Sequence, residues 1–179
     1  MDYPHIAIVD LETSRKDPFS GGEILEIGVV VVDAATLEAL EELDLKVRPE
    51  HIERADPESL RVNGFRAEEW EDAVPLSAAM EQFAAAVGGA EIAAYNIKFD
   101  WPFLASALHA TGVQSELSYH GRCIYTLACE LLRSKNLPSY GLSSVAVYFG
   151  LGEEPKPHRA ITGARLAAEV YRKLRSMLS

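Results

Sequence analysis

Apolar runs along the chain come in two periods, separated by polar, turn-forming stretches. Ile6 to Val9 is short, apolar and partly β-branched, the pattern of a buried strand. Glu23 to Asp33 (EILEIGVVVVD) is a second core strand. Ala34-Ala35-Thr36 reads as a hairpin turn, and Leu37 to Val47 as a third strand ending at Arg48-Pro49. Strands joined so tightly run antiparallel. His51 to Asp72 is charged and punctuated by Pro57, Asn63 and Gly64, with room for a short helix or two. After Pro75 the period changes. Leu76, Ala79, Met80, Phe83, Ala84 and Val87 recur at helical spacing, and Gly88-Gly89 stops the run. Glu91 to Tyr95 is a short strand, broken by Asn96 to Asp100. Trp101-Pro102 then opens a helix that runs to Thr111 and is capped by Gly112. Cys123-Ile124-Tyr125 reads as a last short strand, and Thr126 to Lys135, Leu142 to Phe149 and Arg159 to Met177 as helices. Three strands, helix, strand, helix, strand, helices is an α/β order. No repeat or composition break divides it, so residues 1–179 are expected to form a single domain.

Composition narrows the setting. The chain has 179 residues, 48% of them hydrophobic, which suits one folded domain and argues against disorder. No run is apolar enough to span a bilayer, and the start lacks the basic and apolar regions of a signal peptide. Cys123 and Cys129 are too few for a disulfide framework. The expected location is therefore cytoplasmic, with no membrane partner. With 27 acidic and 17 basic residues the net charge is −10, which opposes long-range attraction to duplex nucleic acid. Metal ions and a few placed cations can still set a local field for a nucleic-acid enzyme.

The candidate chemistry lies at the element ends. Asp10 and Glu12 are two apart, so on a strand they point to one face. Two carboxylates on one face of a core strand ask for a cation between them; past the strand end they would simply be solvated. Asp100 falls at a strand-to-helix junction and His158 at the entry to the last helix. Such edges are where α/β sheets place sites. Carboxylates on separate elements with a neutral histidine suit two-metal phosphodiester hydrolysis, in which the ions sit roughly 3.5–4 Å apart and the imidazole takes a proton from water. Each residue also has a structural reading. Asn96 could cap a turn, Phe99 could be core, and a histidine beside a helix start is often a surface group.

Ile8-Val9-Asp10-Leu11-Glu12-Thr13, Tyr95-Asn96-Ile97-Lys98-Phe99-Asp100 and His158-Arg159-Ala160 resemble, in order and separation, the three motifs of the DEDDh (DnaQ-like) 3′–5′ exonucleases; Glu23 to Gly28 is similar to the family's second strand. The resemblance implies a ribonuclease-H-like fold, a five-stranded mixed sheet with one antiparallel strand flanked by helices. It implies two divalent ions, Mg²⁺ or Mn²⁺, in the substrate complex. Asp10, Glu12 and Asp100 would be the metal ligands, and His158 the general base. Thr13, Asn63, Asn96 and Phe99 would approach the terminal nucleotide. The implied partner is the 3′ end of a single-stranded or short nucleic acid, DNA or RNA, and the implied reaction releases nucleoside monophosphates. A homodimer or a polymerase-type partner is left open. Arg15, Lys16, Lys98, Lys156 and Arg159 flank the motifs and could form a cationic rim for phosphates.

Two positions depart: Tyr125 before Thr126, where many relatives have aspartate, carries little mechanistic weight, and the other matters more. The family's fourth acid lies five residues after the histidine, and Gly163 stands there. No acid sits one helical turn to either side of it. A glycine inside a helix costs about 1 kcal/mol relative to alanine, so it asks for a reason. Weakened metal binding and weakened activity follow from one fewer ligand. The alternative is a catalytically inactive nucleic-acid-binding or protein-interaction module on the same fold.

Overall fold

One mixed sheet carries the fold, in strand order β3-β2-β1-β4-β5. The computed structural model describes residues 3–117 and 120–178. The strands are β1 (His5–Thr13), β2 (Ile24–Asp33), β3 (Ala39–Lys46), β4 (Glu91–Ala94) and β5 (Gly121–Cys123). β2 runs antiparallel to both β1 and β3, whereas β4 runs parallel to β1 and β5 parallel to β4. One strand therefore opposes the other four, as expected. The helices are α1 (Pro57–Asn63), α2 (Leu76–Val87), α3 (Ile97–Thr111), α4 (Ile124–Leu132), α5 (Leu142–Tyr148) and α6 (Ala160–Ser176). Among the described residues, no helix is long and apolar enough to cross a membrane.

Alternation along β1 divides the core into two layers. Ala7, Val9 and Leu11 face α2 and α3, where they meet Met80, Phe83, Phe103 and Leu104. Ile6 and Ile8 face the other way, onto Ile124, Leu132, Val145, Ala164 and Leu174 of α4, α5 and α6. Asp10 and Glu12 continue the parity of Ile6 and Ile8, so they emerge on the α6 side, where the apolar packing ends.

The central strands are buried on both faces, which is why β2 reads as a continuous apolar run rather than an alternating one. Gly28 on β2 lies opposite Asp10. A side chain there would overlap the Ala160 and Ile161 backbone, so this glycine allows the first turn of α6 to lie directly on the sheet.

Two boundaries differ from the sequence expectation. α3 begins at Ile97, not Trp101, and contains Pro102. Proline most often marks a helix start, but here the helix loses one hydrogen bond and continues. Asp100 consequently sits inside the first helical turn rather than in a connecting loop. The last strand ends at Cys123, the partner of Ala94, and Ile124 already belongs to α4.

Candidate active site

The carboxyl ends of the parallel strands β1 and β4 open onto a cleft of about 440 Å³. This is the edge at which open α/β sheets bind ligands. Asp10, Glu12, Asp100 and His158 all line it, together with Thr13, Asn96, Phe99, Tyr95, Lys16 and Glu154. Three stretches separated by dozens of residues thus converge on one cavity.

Each element places its acid for a local reason. β1 delivers Asp10 and Glu12 by alternation, and a register irregularity between Glu12 and Thr13 marks where pairing with β2 loosens. α3 delivers Asp100, which is buried, 4% exposed, with one carboxylate oxygen (Oδ1) lacking any hydrogen-bond partner. Buried polar atoms are nearly always partnered, so this orphan marks a place where a ligand belongs. His158 enters from the loop before α6. Its amide donates to Val62 O at 3.1 Å, fastening that loop to the end of α1. The α1 cap, Gly64, has φ +63°, and a side chain there would also strike Pro157; it serves both the left-handed turn and the close approach of the loop.

The start of α6 is fixed by a buried ion pair. Glu26, on β2, accepts from Arg159 Nη1 at 3.0 Å and from the Ala160 amide at 3.0 Å. Arg159 also donates to Asn63 O at 3.0 Å and to Glu69 at 2.9 Å. Arg159 is therefore a scaffold and is not part of a cationic rim. Arg15 is also engaged, donating to Arg54 O at 2.8 Å. Lys16 is the one lysine or arginine among the described residues lining the cleft.

Electrostatically the cleft is starved of positive charge. Burial first, then the neighbouring Glu26 and Glu154, push the Glu12 carboxyl up to about 8 against the pull of Arg159. Burial raises Asp100 to about 7, offset by the amides of Asp100 itself and Leu11. Asp10 is raised well above the usual carboxylate range, first by burial and then by Asp100, Glu12, Glu154 and Glu26. Burial also raises Glu154, while His158 pulls it back. Several acids sharing one site hold protons unless a cation joins them. Ligand atoms of Glu12, Glu154 and His158 all lie within 4.8 Å of one another. Carboxylate oxygens with one ring nitrogen, a crowd of raised acids and an orphaned Asp100 oxygen fit a divalent ion.

The expected nucleotide contacts divide. Phe99 is half-buried on the cleft wall, its ring 5.5 Å from that of Phe103. Asn96 is exposed at the mouth and makes no side-chain cap to α3. Thr13 lines the cleft but its hydroxyl donates to Arg15 O at 2.7 Å. Asn63 is not on the wall. It is buried, its amide donates to Thr13 O at 3.2 Å and its carbonyl accepts from Phe65 N at 3.1 Å, so it braces the end of β1 from behind. Glu154 was missed by the sequence reading. The signal was present in the pair Glu153-Glu154 just ahead of Pro155 and His158, but an acidic pair in a loop reads as solvated.

Residues 7–171 match the family model of the RNase T-type exonucleases. The chain belongs to this exonuclease family. Protein NEN2 of Arabidopsis thaliana is 29% identical to it over 99% of this chain and 36% of its own length. The 3′–5′ exonuclease DinG of Bacillus subtilis is 25% identical over 99% of this chain and 19% of its own. The chain thus spans about a third or less of these relatives. Among solved structures, zinc-bound exonuclease I of E. coli with single-stranded DNA superposes with a TM-score of 0.78 at 15% identity, over 98% of this chain and 41% of that one. A 3′-exonuclease that recognises the 3′ end of a histone mRNA stem-loop superposes with a TM-score of 0.77 at 16% identity, over 99% and 83%.

Proposed function

We propose that the chain is a metal-dependent 3′–5′ exonuclease that hydrolyses the terminal phosphodiester of a DNA or RNA 3′ end and releases nucleoside monophosphates. The observation that carries this reading is the convergence of Asp10, Glu12, Asp100 and His158 on one cleft in a member of the exonuclease family. Asp10, Glu12 and Asp100 are the residues that would hold Mg²⁺ or Mn²⁺. Two such ions would neutralise the scissile phosphate and acidify the attacking water. A zinc-bound form of exonuclease I, which shares this fold, supports a divalent ion as the cofactor.

The remaining steps belong to the chain itself. His158 sits at the cleft wall, 30% exposed, where it can accept the proton of the attacking water and pass it to solvent. Its backbone tether to Val62 fixes the ring's approach. Water adds to phosphorus, the bond to the 3′-oxygen of the preceding nucleotide breaks, and that oxygen takes up a proton from solvent as it leaves. Phe99 and Leu11 offer an apolar wall to the terminal base or sugar, and Asn96 at the mouth offers an amide to it. Lys16 is placed for a phosphate of the strand. A single cleft lysine in a chain of net charge −10 favours short or single-stranded 3′ ends over long duplex.

In this reading Gly163 stands where the family pattern has its fourth acid. The test is release of mononucleotides from 5′-labelled single-stranded DNA and RNA across a Mn²⁺ and a Mg²⁺ titration, with Asp10→Ala as control. Stepwise shortening from the 3′ end by the wild type alone is the expected result. No turnover of any oligonucleotide at saturating metal would overturn the reading in favour of a binding module.

A further inference from the structure

We infer that Glu154 is the fourth carboxylate of the metal site, delivered from the loop before α6 into the space that Gly163 leaves open. This rests on the exonuclease reading above and concerns only how this chain completes its ligand set.

Three observations carry it. The first is the space itself. A Cβ built on Gly163 would overlap the Asp10 carboxylate and lie 3.2 Å from Glu154 Oε1. The absent side chain is thus replaced by two carboxylates, one from β1 and one from the loop. The second is the placement of Glu154. Its side chain is only 10% exposed, its Oε2 lies 3.7 Å from His158 Nδ1, and among the described residues it pairs with no lysine or arginine. Its amide donates to Ser143 Oγ at 3.3 Å, which ties the loop to α5. A long flexible acid on a free loop would turn to solvent; this one is turned in, beside Glu12 and His158, with ligand atoms within 4.8 Å. The third is independent of Glu154. Asp100, which lines the same cleft, has a buried and unpartnered Oδ1 that calls for a cation.

Glycine at position 163 then has its physical reason. With α6 pressed on the sheet at Gly28, a side chain at 163 and the carboxyl of Glu154 would compete for one volume. The site keeps its fourth oxygen donor by moving it from the helix to the loop, nine residues earlier. The same shift explains why no acid lies one helical turn to either side of Gly163.

The test is Mn²⁺ binding by calorimetry and by electron paramagnetic resonance, on wild type, Glu154→Gln, Glu154→Asp and, as a neighbouring exposed control, Glu153→Gln. Melting in EDTA confirms that each variant folds. E154Q is expected to bind Mn²⁺ about 10- to 100-fold more weakly, the range seen when groups supporting a metal site are removed. E154D keeps the charge but withdraws the oxygen by one methylene, and is expected to fall in between; it decides the matter if E154Q melts early. E153Q is expected to match wild type. Wild-type affinity in both E154Q and E154D would overturn the inference and leave the exonuclease reading standing. No Mn²⁺ binding by the wild type would overturn both. A changed pH profile of turnover in E154Q with unchanged Mn²⁺ affinity would make Glu154 a partner of His158 only, and would also overturn it.

Discussion

Glu12 and Glu26 face each other across the β1–β2 pair, and both are buried. They differ in what surrounds them. Glu26 receives an arginine and a helix-start amide, which match its charge in part and offset the burial that raises its carboxyl. Glu12 makes no ion pair among the described residues, and its proton is held up to about 8. Neighbouring buried acids therefore do different work. The matched one ties α6 to the sheet and so sets the position of His158. The unmatched one waits, with Asp10 and Asp100, for a charge from outside. Burial alone does not separate a structural carboxylate from a functional one; the supply of partners does.

The largest effect that would sharpen this contrast is at Asp10. Asp10→Asn is expected to reduce mononucleotide release by more than about 100-fold, beyond the usual cost of losing a supporting group at a metal site. The same variant should melt no lower than wild type in EDTA, because it removes one of several mutually repelling acids. A large loss of apo stability would place Asp10 with the structural acids and break the comparison. Glu26→Gln is the mirror experiment. It leaves Arg159 partly buried with a weaker partner, and should cost roughly 2 kcal/mol, since hydrogen bonds to charged groups carry about 1.5–3 kcal/mol. For a chain of this size that lowers the melting temperature by roughly 4–8 °C. Mn²⁺ affinity should fall less in E26Q than in D10N, as read by calorimetry.

Gly163→Ala probes the crowded side of the cleft with a smaller change. Alanine gains about 1 kcal/mol of helix propensity, but its methyl overlaps the Asp10 carboxylate. The expected net stability change is under about 1 kcal/mol, with several-fold weaker Mn²⁺ binding as Asp10 is displaced. Unchanged binding would mean that Asp10 has another place to go.

How much of this was legible in the sequence follows from how each residue is held. The sheet and the helices came through because period 2 and period 3.6 are local signals. Asp10, Glu12 and Asp100 lie on regular elements whose order is set by the same pattern. Asn63 and Arg159 were placed in the right neighbourhood but in the wrong role: whether an amide or guanidinium faces a cleft or its own backbone depends on atoms from α1, β2 and the turn at Glu69. Glu154 was visible only as one of an acidic pair in a loop, with nothing local to turn it inward. Its position depends on a loop tethered by Ser143 and on a helix pressed against Gly28, and neither constraint has a local period.

The smallest effect is a slope, and its sign is determined. Glu12 and Asp100 hold protons up to about 8 and about 7 in the folded chain without metal, whereas unfolded carboxylates release theirs at about 4. Below about pH 4 both states are protonated and the groups' contribution to stability is fully present. Between the two limits the folded state binds more protons than the unfolded one, so stability falls as pH rises. The contribution is lost as pH passes through about 7 for Asp100 and about 8 for Glu12. Melting in EDTA should therefore decline across this window, and E12Q should flatten the decline. With saturating Mn²⁺ the trend should reverse, because the cation needs deprotonated ligands and binds better as protons leave. Glu26→Gln should lessen the decline as well, since the Glu26 charge is one of the causes that raise Glu12. A melting temperature indifferent to pH in EDTA and in Mn²⁺ alike would mean that Glu12 is as well compensated inside the protein as Glu26, and the distinction between the two acids would fail.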